Sequence, residues 1–123
     1  MARKHKTNYS ISPWLTAKAD CREPKYIQCG VTLFEHPAFK RLTPAQRCLY
    51  LAMCLDAGGH REFTFSKARI EHYGFSYATG RDAINALIAG GFIIKLFSGQ
   101  TTREKNGYAF SERWKLNRAL PEG

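Results

Sequence analysis

Acidic residues are scarce in this chain: ten Asp and Glu stand against nineteen Lys and Arg, for a formal net charge of +9 over 123 residues. The few carboxylates form no cluster, no nucleophile is spaced to meet a base, and His5, His36, His60 and His72 fall in unrelated contexts. Acid–base and nucleophilic catalysis both need such groupings, so an enzyme is the least favoured class and no cofactor is expected. Cysteine is sparse too. Cys21, Cys29, Cys48 and Cys54 show neither C-x-x-C spacing nor the density of a disulfide scaffold, which fits a reducing compartment. Cys48 and Cys54 lie in a helical pattern and are expected to act as small buried hydrophobes. A zinc site would need Cys21, Cys29 and His36 to converge with a fourth ligand, and no recognised zinc spacing supports it, so no metal is expected. Long apolar runs are missing as well: none approaches the roughly 18 residues of a membrane span, and no signal-peptide core follows the basic N-terminus. The expectation is a cytoplasmic protein without a membrane partner.

What is present is enough apolar residues, 44%, for one globular domain, and a basic excess with a definite distribution. Residues 1–25 carry Arg3, Lys4, Lys6, Lys18, Arg22 and Lys25 against Asp20 and Glu23. Residues 95–118 repeat that balance with Lys95, Arg103, Lys105, Arg113, Lys115 and Arg118 against Glu104 and Glu112, while the middle is nearly neutral. Two basic flanks around one core make a polyanion the natural partner class.

The division expected along the chain is a basic, extended or mobile arm over 1–25, a folded domain over 26–118 and a short tail over 119–123. Tyr26–Leu33 is β-prone and predicts an edge strand or extended lead-in, and Phe34–Arg41 a short helical turn. Thr43-Pro44-Ala45-Gln46 is a helix start: Thr can cap, Pro suits the first helical position and Gln can close a capping box. Ala45, Cys48, Leu49, Ala52 and Leu55 follow as an apolar stripe to about Ala57, before Gly58-Gly59. Arg61–Phe65 alternates as a half-buried strand.

Ser66–Ile93 predicts two capped helices around a tight turn. Ser66 caps Lys67–Tyr73, with Ala68, Ile70 and Tyr73 facing inward, and Gly74 supplies the turn after which Phe75 enters the core. Ser76 caps Tyr77–Ala89, which places Ala83, Ile84, Leu87 and Ile88 on one face and Tyr77, Ala78, Arg81, Asp82 and Asn85 on the other. A helix, a short glycine-containing turn and a second helix with a polar face form a helix-turn-helix, whose second helix enters the DNA major groove. Arg81 can pair with guanine O6 and N7 and Asn85 with adenine N6 and N7, while Tyr77 stands at the helix N-terminus where bases or phosphates are met. Ser76 and Thr79 can reach phosphates, and Ala78 lies on the same face; Asp82 either accepts from cytosine N4 or pairs with a neighbouring Arg. Phe92–Phe97 and Gly107–Ser111 are strands joined by a polar, basic hairpin tip in which Gln100, Arg103, Lys105 and Asn106 are candidate DNA contacts. Arg3, Lys4 and Lys6 are the candidates in the arm.

Gly74-Phe75-Ser76-Tyr77-Ala78-Thr79, Ala83-Ile84-Asn85-Ala86-Leu87 and Gly90-Gly91-Phe92-Ile93 together resemble the winged helix-turn-helix pattern over roughly residues 42–115, with Gly80 where an apolar residue is usual. With Phe39–Gln46 added, the chain is similar to helix-turn-helix proteins and replication-initiator amino-terminal domains of plasmids and conjugative elements. The resemblance implies an α+β fold: one winged helix-turn-helix domain, a three-helix core plus a two- or three-stranded sheet with its wing, behind a basic N-terminal arm. It also implies sequence-specific binding of double-stranded DNA, as an accessory or initiator-type factor in replication or conjugative transfer, alongside other replication or transfer proteins and as a monomer or weak homodimer on DNA. A transcriptional regulator and a winged-helix adaptor for proteins are the alternatives.

Overall fold

The computed structural model describes residues 8–97 and 106–116 of the chain, and they form an α+β structure with five α-helices and two small antiparallel sheets. In order, these are strands β1 (Tyr9–Ser10) and β2 (Arg22–Glu23), helices α1 (Val31–Glu35), α2 (Pro37–Lys40) and α3 (Pro44–Ala57), strand β3 (Glu62–Thr64), helices α4 (Lys67–His72) and α5 (Tyr77–Ala89), and strands β4 (Ile93–Phe97) and β5 (Gly107–Phe110). Short 3-10 helices occupy Pro13–Leu15 and Arg113–Leu116.

Helix α3 starts as its sequence dictates. The Thr43 hydroxyl accepts from the Gln46 amide at 3.2 Å, and the Gln46 side chain accepts from the Thr43 amide at 2.9 Å, so two orphan donors of the first turn are satisfied. Thr43→Ala should cost about 1 kcal/mol, read as a lower urea midpoint at unchanged m-value. The buried stripe of α3 is not the expected one. Leu49, Tyr50, Met53 and Ala57 are buried, whereas Cys48 is exposed and Ala45, Ala52 and Leu55 are only partly covered. Tyr50 turns the helix: its ring meets Phe39, Phe92 and Phe110 edge-on at 6.4, 5.2 and 5.9 Å, and burying one large aromatic outweighs burying a thiol. Cys54 stays half-buried beside Tyr50, and burial pushes its thiol up to about 12. Its thiolate is therefore rare near neutral pH, and at pH 8 Cys54 should alkylate with iodoacetamide at least about tenfold more slowly than Cys48, followed by peptide mass spectrometry.

The larger sheet has the order β3-β5-β4, with Phe63 opposite Tyr108 and Ile93 opposite Phe110. Leu96 is the extra residue of a bulge between Lys95 and Phe97. One face of the sheet packs on α3 and α5 through Phe65, Phe92, Ile93, Leu87 and Tyr108, all essentially sealed from solvent. Trp114 stacks on Phe92 at 5.5 Å and His36 meets Trp114 edge-on at 5.0 Å, which pins the last 3-10 helix over the core.

Two expectations for the N-terminal third need correction. Of the two readings of Tyr26–Leu33 the strand does not form: residues 25–30 are an irregular lead-in and Val31 already begins a helix, with no strand among the described residues pairing with the β-prone residues. Helical structure over 34–41 is divided by His36, whose Nδ1 accepts from the Ala38 amide at 3.0 Å and caps α2 ahead of Pro37. The segment read as an extended arm is folded over Tyr9–Glu23, where β1 and β2 close a two-stranded ribbon with Tyr9 opposite Glu23. A Thr16–Glu23 hydrogen bond and a donation from Arg22 Nη2 to the Asn8 carbonyl at 3.3 Å hold it. Arg3, Lys4 and Lys6 lie outside the described residues.

Candidate nucleic-acid interface

Helices α4 and α5 are placed by their caps and by one turn. The Ser66 hydroxyl accepts from the Arg69 amide at 3.2 Å, and the Ser76 hydroxyl from the Thr79 amide at 3.1 Å. Between the helices, Gly74 takes a φ of +92°, a conformation that residues with a Cβ rarely adopt. Ile70 is buried and Phe75 and Tyr73 are partly buried, but Ala68, expected inside, is exposed. The end of α3 locks α4 in place: Asp56 Oδ1 accepts from Arg69 Nε at 3.1 Å and from the Tyr73 hydroxyl at 2.9 Å, and Arg69 Nη2 adds a further contact. The backbone of α5 approaches α4 closely at Gly80, where an added Cβ would lie 2.3 Å from Ile70 Cγ2. The glycine that departs from the usual apolar residue thus has a physical reason, helix-to-helix contact without an intervening side chain.

This packing leaves Tyr77, Ala78, Thr79, Arg81, Asp82 and Asn85 exposed, while Ala83, Ile84 and Leu87 are buried and Ile88 is partly so. Tyr77, Arg81 and Asn85 belong to one cleft of about 530 Å³ between α5 and the sheet. Lys67, from the start of α4, and Lys95, from β4, complete its charged lining, and no carboxylate lines it among the described residues. The Tyr77 ring gathers the cations: Lys67 Nζ lies 5.6 Å and Arg81 Cζ 5.7 Å from its centroid. Attraction between cations and the ring face offsets part of the repulsion of bringing two positive groups together. Lys67 also reaches Glu71 at 3.9 Å on an exposed face, a contact too weak to neutralise it. At the back of the cleft the Asn106 side-chain amide donates to the Tyr108 hydroxyl at 3.3 Å, and burial pushes that phenol above its ordinary range. Tyr108 therefore stays neutral and adds no negative charge.

Three of the expected contact residues of α5, Tyr77, Arg81 and Asn85, thus share the cleft, while Ala78 and Thr79 are exposed outside its lining. The Ser76 hydroxyl is occupied as a helix cap, and Asp82 makes no ion pair among the described residues, leaving the expected pairing with an Arg unformed. Of the hairpin-tip residues, Gln100, Arg103 and Lys105 lie outside the described residues, while Asn106 lines the cleft. Lys67 and Lys95 were missed as site residues. A signal for Lys95 exists, since it stands two residues after buried Ile93 and strand alternation puts both on the face toward α5. For Lys67 there was none, because its place beside Tyr77 depends on the angle between two helices. Among the described residues no helix is long and apolar enough to cross a membrane, and no group of His, Cys, Asp and Glu could hold a metal ion. No protein-family model, curated protein or solved structure matches the chain.

Proposed function

We propose that this chain is a winged helix-turn-helix protein that binds double-stranded DNA sequence-specifically through α5 and the cleft beside it. The observation that carries the reading is the joining of Tyr77, Arg81 and Asn85 with Lys67 and Lys95 in one cleft that no carboxylate of the described residues lines, on a helix held by a tight turn against the preceding one. A duplex presents closely spaced phosphates, and cations lining a groove without acids gain affinity by releasing the counterions condensed on them. Arg81 and Asn85 supply the forked donors and the donor–acceptor pair that read guanine and adenine, and the lysines supply the sequence-blind part. The helices α3, α4 and α5 and the β3-β5-β4 sheet support this reading, since a winged helix is built on a three-helix core and a small antiparallel sheet. The resemblance to replication-initiator and plasmid helix-turn-helix domains supports a role in replication or transfer of a mobile element, as an accessory or initiator-type factor.

Selection of sites from a random duplex pool, followed by anisotropy titration at fixed salt, tests this. The selected site should bind about a thousandfold or more tighter than scrambled duplex. Weak binding blind to sequence would instead identify a protein-binding adaptor, and would overturn the proposal.

A further inference from the structure

A second cavity, of about 730 Å³, lies away from α5, at the end of β5 opposite Gly107. Its size falls among small-molecule sites, which span roughly 300–1,000 Å³. The walls come from the segment after β2, the end of α3 and the last 3-10 helix, and no residue of α5 contributes. Tyr9, Tyr26, Tyr50, Phe110 and Trp114 all line it. Tyr9 and Tyr26 meet edge-on at 4.8 Å, and Tyr50 and Phe110 at 5.9 Å, so the rings are already fixed by one another. A flat ring entering such a site finds aromatic edges and faces in place without reorganisation.

Two polar features define the rest of the ligand. Tyr50 is only 8% exposed, yet no hydrogen bond among the described residues ends on its hydroxyl. No sealed side-chain polar atom among the described residues lacks a partner, so this hydroxyl opens onto the cavity rather than into the core. Among the described residues, the charged lining is Lys25, Arg61 and Lys115 against Glu112. Glu112 is occupied by Lys115 at 3.1 Å and faces Arg61 at 4.0 Å, cations that hold its carboxyl below the usual carboxylate range. Lys25 makes no ion pair among the described residues, so the described lining of the cavity carries a net positive charge.

We propose that this cavity binds a small aromatic carboxylic acid, its ring among Tyr26, Tyr50 and Trp114 and its carboxylate met by the Lys25 ammonium and the Tyr50 hydroxyl. Neutral aromatics lose the charge contact, and aliphatic acids lose the rings. The site is separate from the proposed DNA surface and stands independently of that reading.

The chain has two tryptophans, so Trp14→Phe leaves Trp114, a cavity residue, as the sole reporter; Trp14 is 81% exposed and lines no part of the site. Benzoate and 2-naphthoate are titrated into the full chain by calorimetry, and benzoate also into the W14F chain with Trp114 emission as readout. Acetate and benzyl alcohol serve as controls. Both acids should bind saturably, and benzoate should shift Trp114 emission, with each control at least about tenfold weaker, the size expected for losing one charged hydrogen bond or one ring contact. Lys25→Gln, a surface change that leaves folding intact, should weaken both acids by about tenfold, and Tyr50→Phe, which keeps the ring, should do likewise. Absence of saturable binding by both acids, equal binding of acetate, or full retention of affinity in Lys25→Gln would each overturn the proposal.

Discussion

Gly80→Leu should lower the stability of this protein by about 3 kcal/mol, the upper end of what overpacking a sealed core costs. A Cβ at this position would already sit 2.3 Å from Ile70 Cγ2 and 3.2 Å from Cδ1, and Ile70 is 2% exposed, so either its branched side chain must leave its packed position or the two helices must part. Leucine has a far better helix propensity than glycine, by up to about 1 kcal/mol, and that gain is too small to offset the clash. For a domain of this size the melting temperature should fall by more than about 10 °C. Combining Gly80→Leu with Ile70→Ala separates this account from a general intolerance of the site. The two residues compete for one volume, so the double variant should be more stable than the sum of the single effects predicts, by 1 kcal/mol or more on the usual scale for contacting residues. Additive losses in urea denaturation would show that α4 and α5 do not meet at Gly80. Because Lys67 rides on α4 and Arg81 on α5, forcing these helices apart should also weaken duplex binding in the fraction that remains folded.

The second large effect concerns the cleft. Replacing Lys67, Arg81 and Lys95 together by glutamine should shallow the dependence of log affinity on log salt by nearly three units, about 0.9 for each phosphate contact removed. A control triple at Lys18, Lys40 and Lys115 removes the same charge from residues that do not line the cleft. It should change the slope by less than about one unit, since exposed charges beyond a Debye length are largely screened. Equal slopes for the two triples would mean that net charge, and not this cleft, governs binding. Arg81→Ala alone should cost about 1–3 kcal/mol on the selected site and relax the base preference at one position. Lys95→Ala should weaken all duplexes alike.

Much of the domain was legible because its signals are local. Thr43, Ser66 and Ser76 start helices through bonds to amides three residues ahead, and Gly74 turns the chain through its own dihedral angle, so the bounds of α3, α4 and α5 follow from neighbouring residues. The polar face of α5 was legible for the same reason, as helical spacing alone puts Tyr77, Arg81 and Asn85 opposite Leu87. The exposed thiol of Cys48 was not, because a stripe of three-and-four spacing leaves a choice of adjacent faces and Phe39, Phe92 and Phe110 select the one holding Tyr50. The ribbon of Tyr9–Ser10 with Arg22–Glu23 escaped notice because two-residue strands carry no alternation to read.

From the sequence alone came the basic excess, the capped helices, the turn at Gly74 and the polar face of α5, all properties of one residue or one helical turn. Tertiary structure decided that Gly80 is a contact point with Ile70, that Lys67 joins Arg81 at the Tyr77 ring while Lys95 lines the same cleft, and that Tyr50 opens onto a second cavity lined by aromatics. These depend on distances between residues ten or more apart in the chain. Only the packing of helix on helix and helix on sheet sets such distances, because no local bond or dihedral angle encodes them.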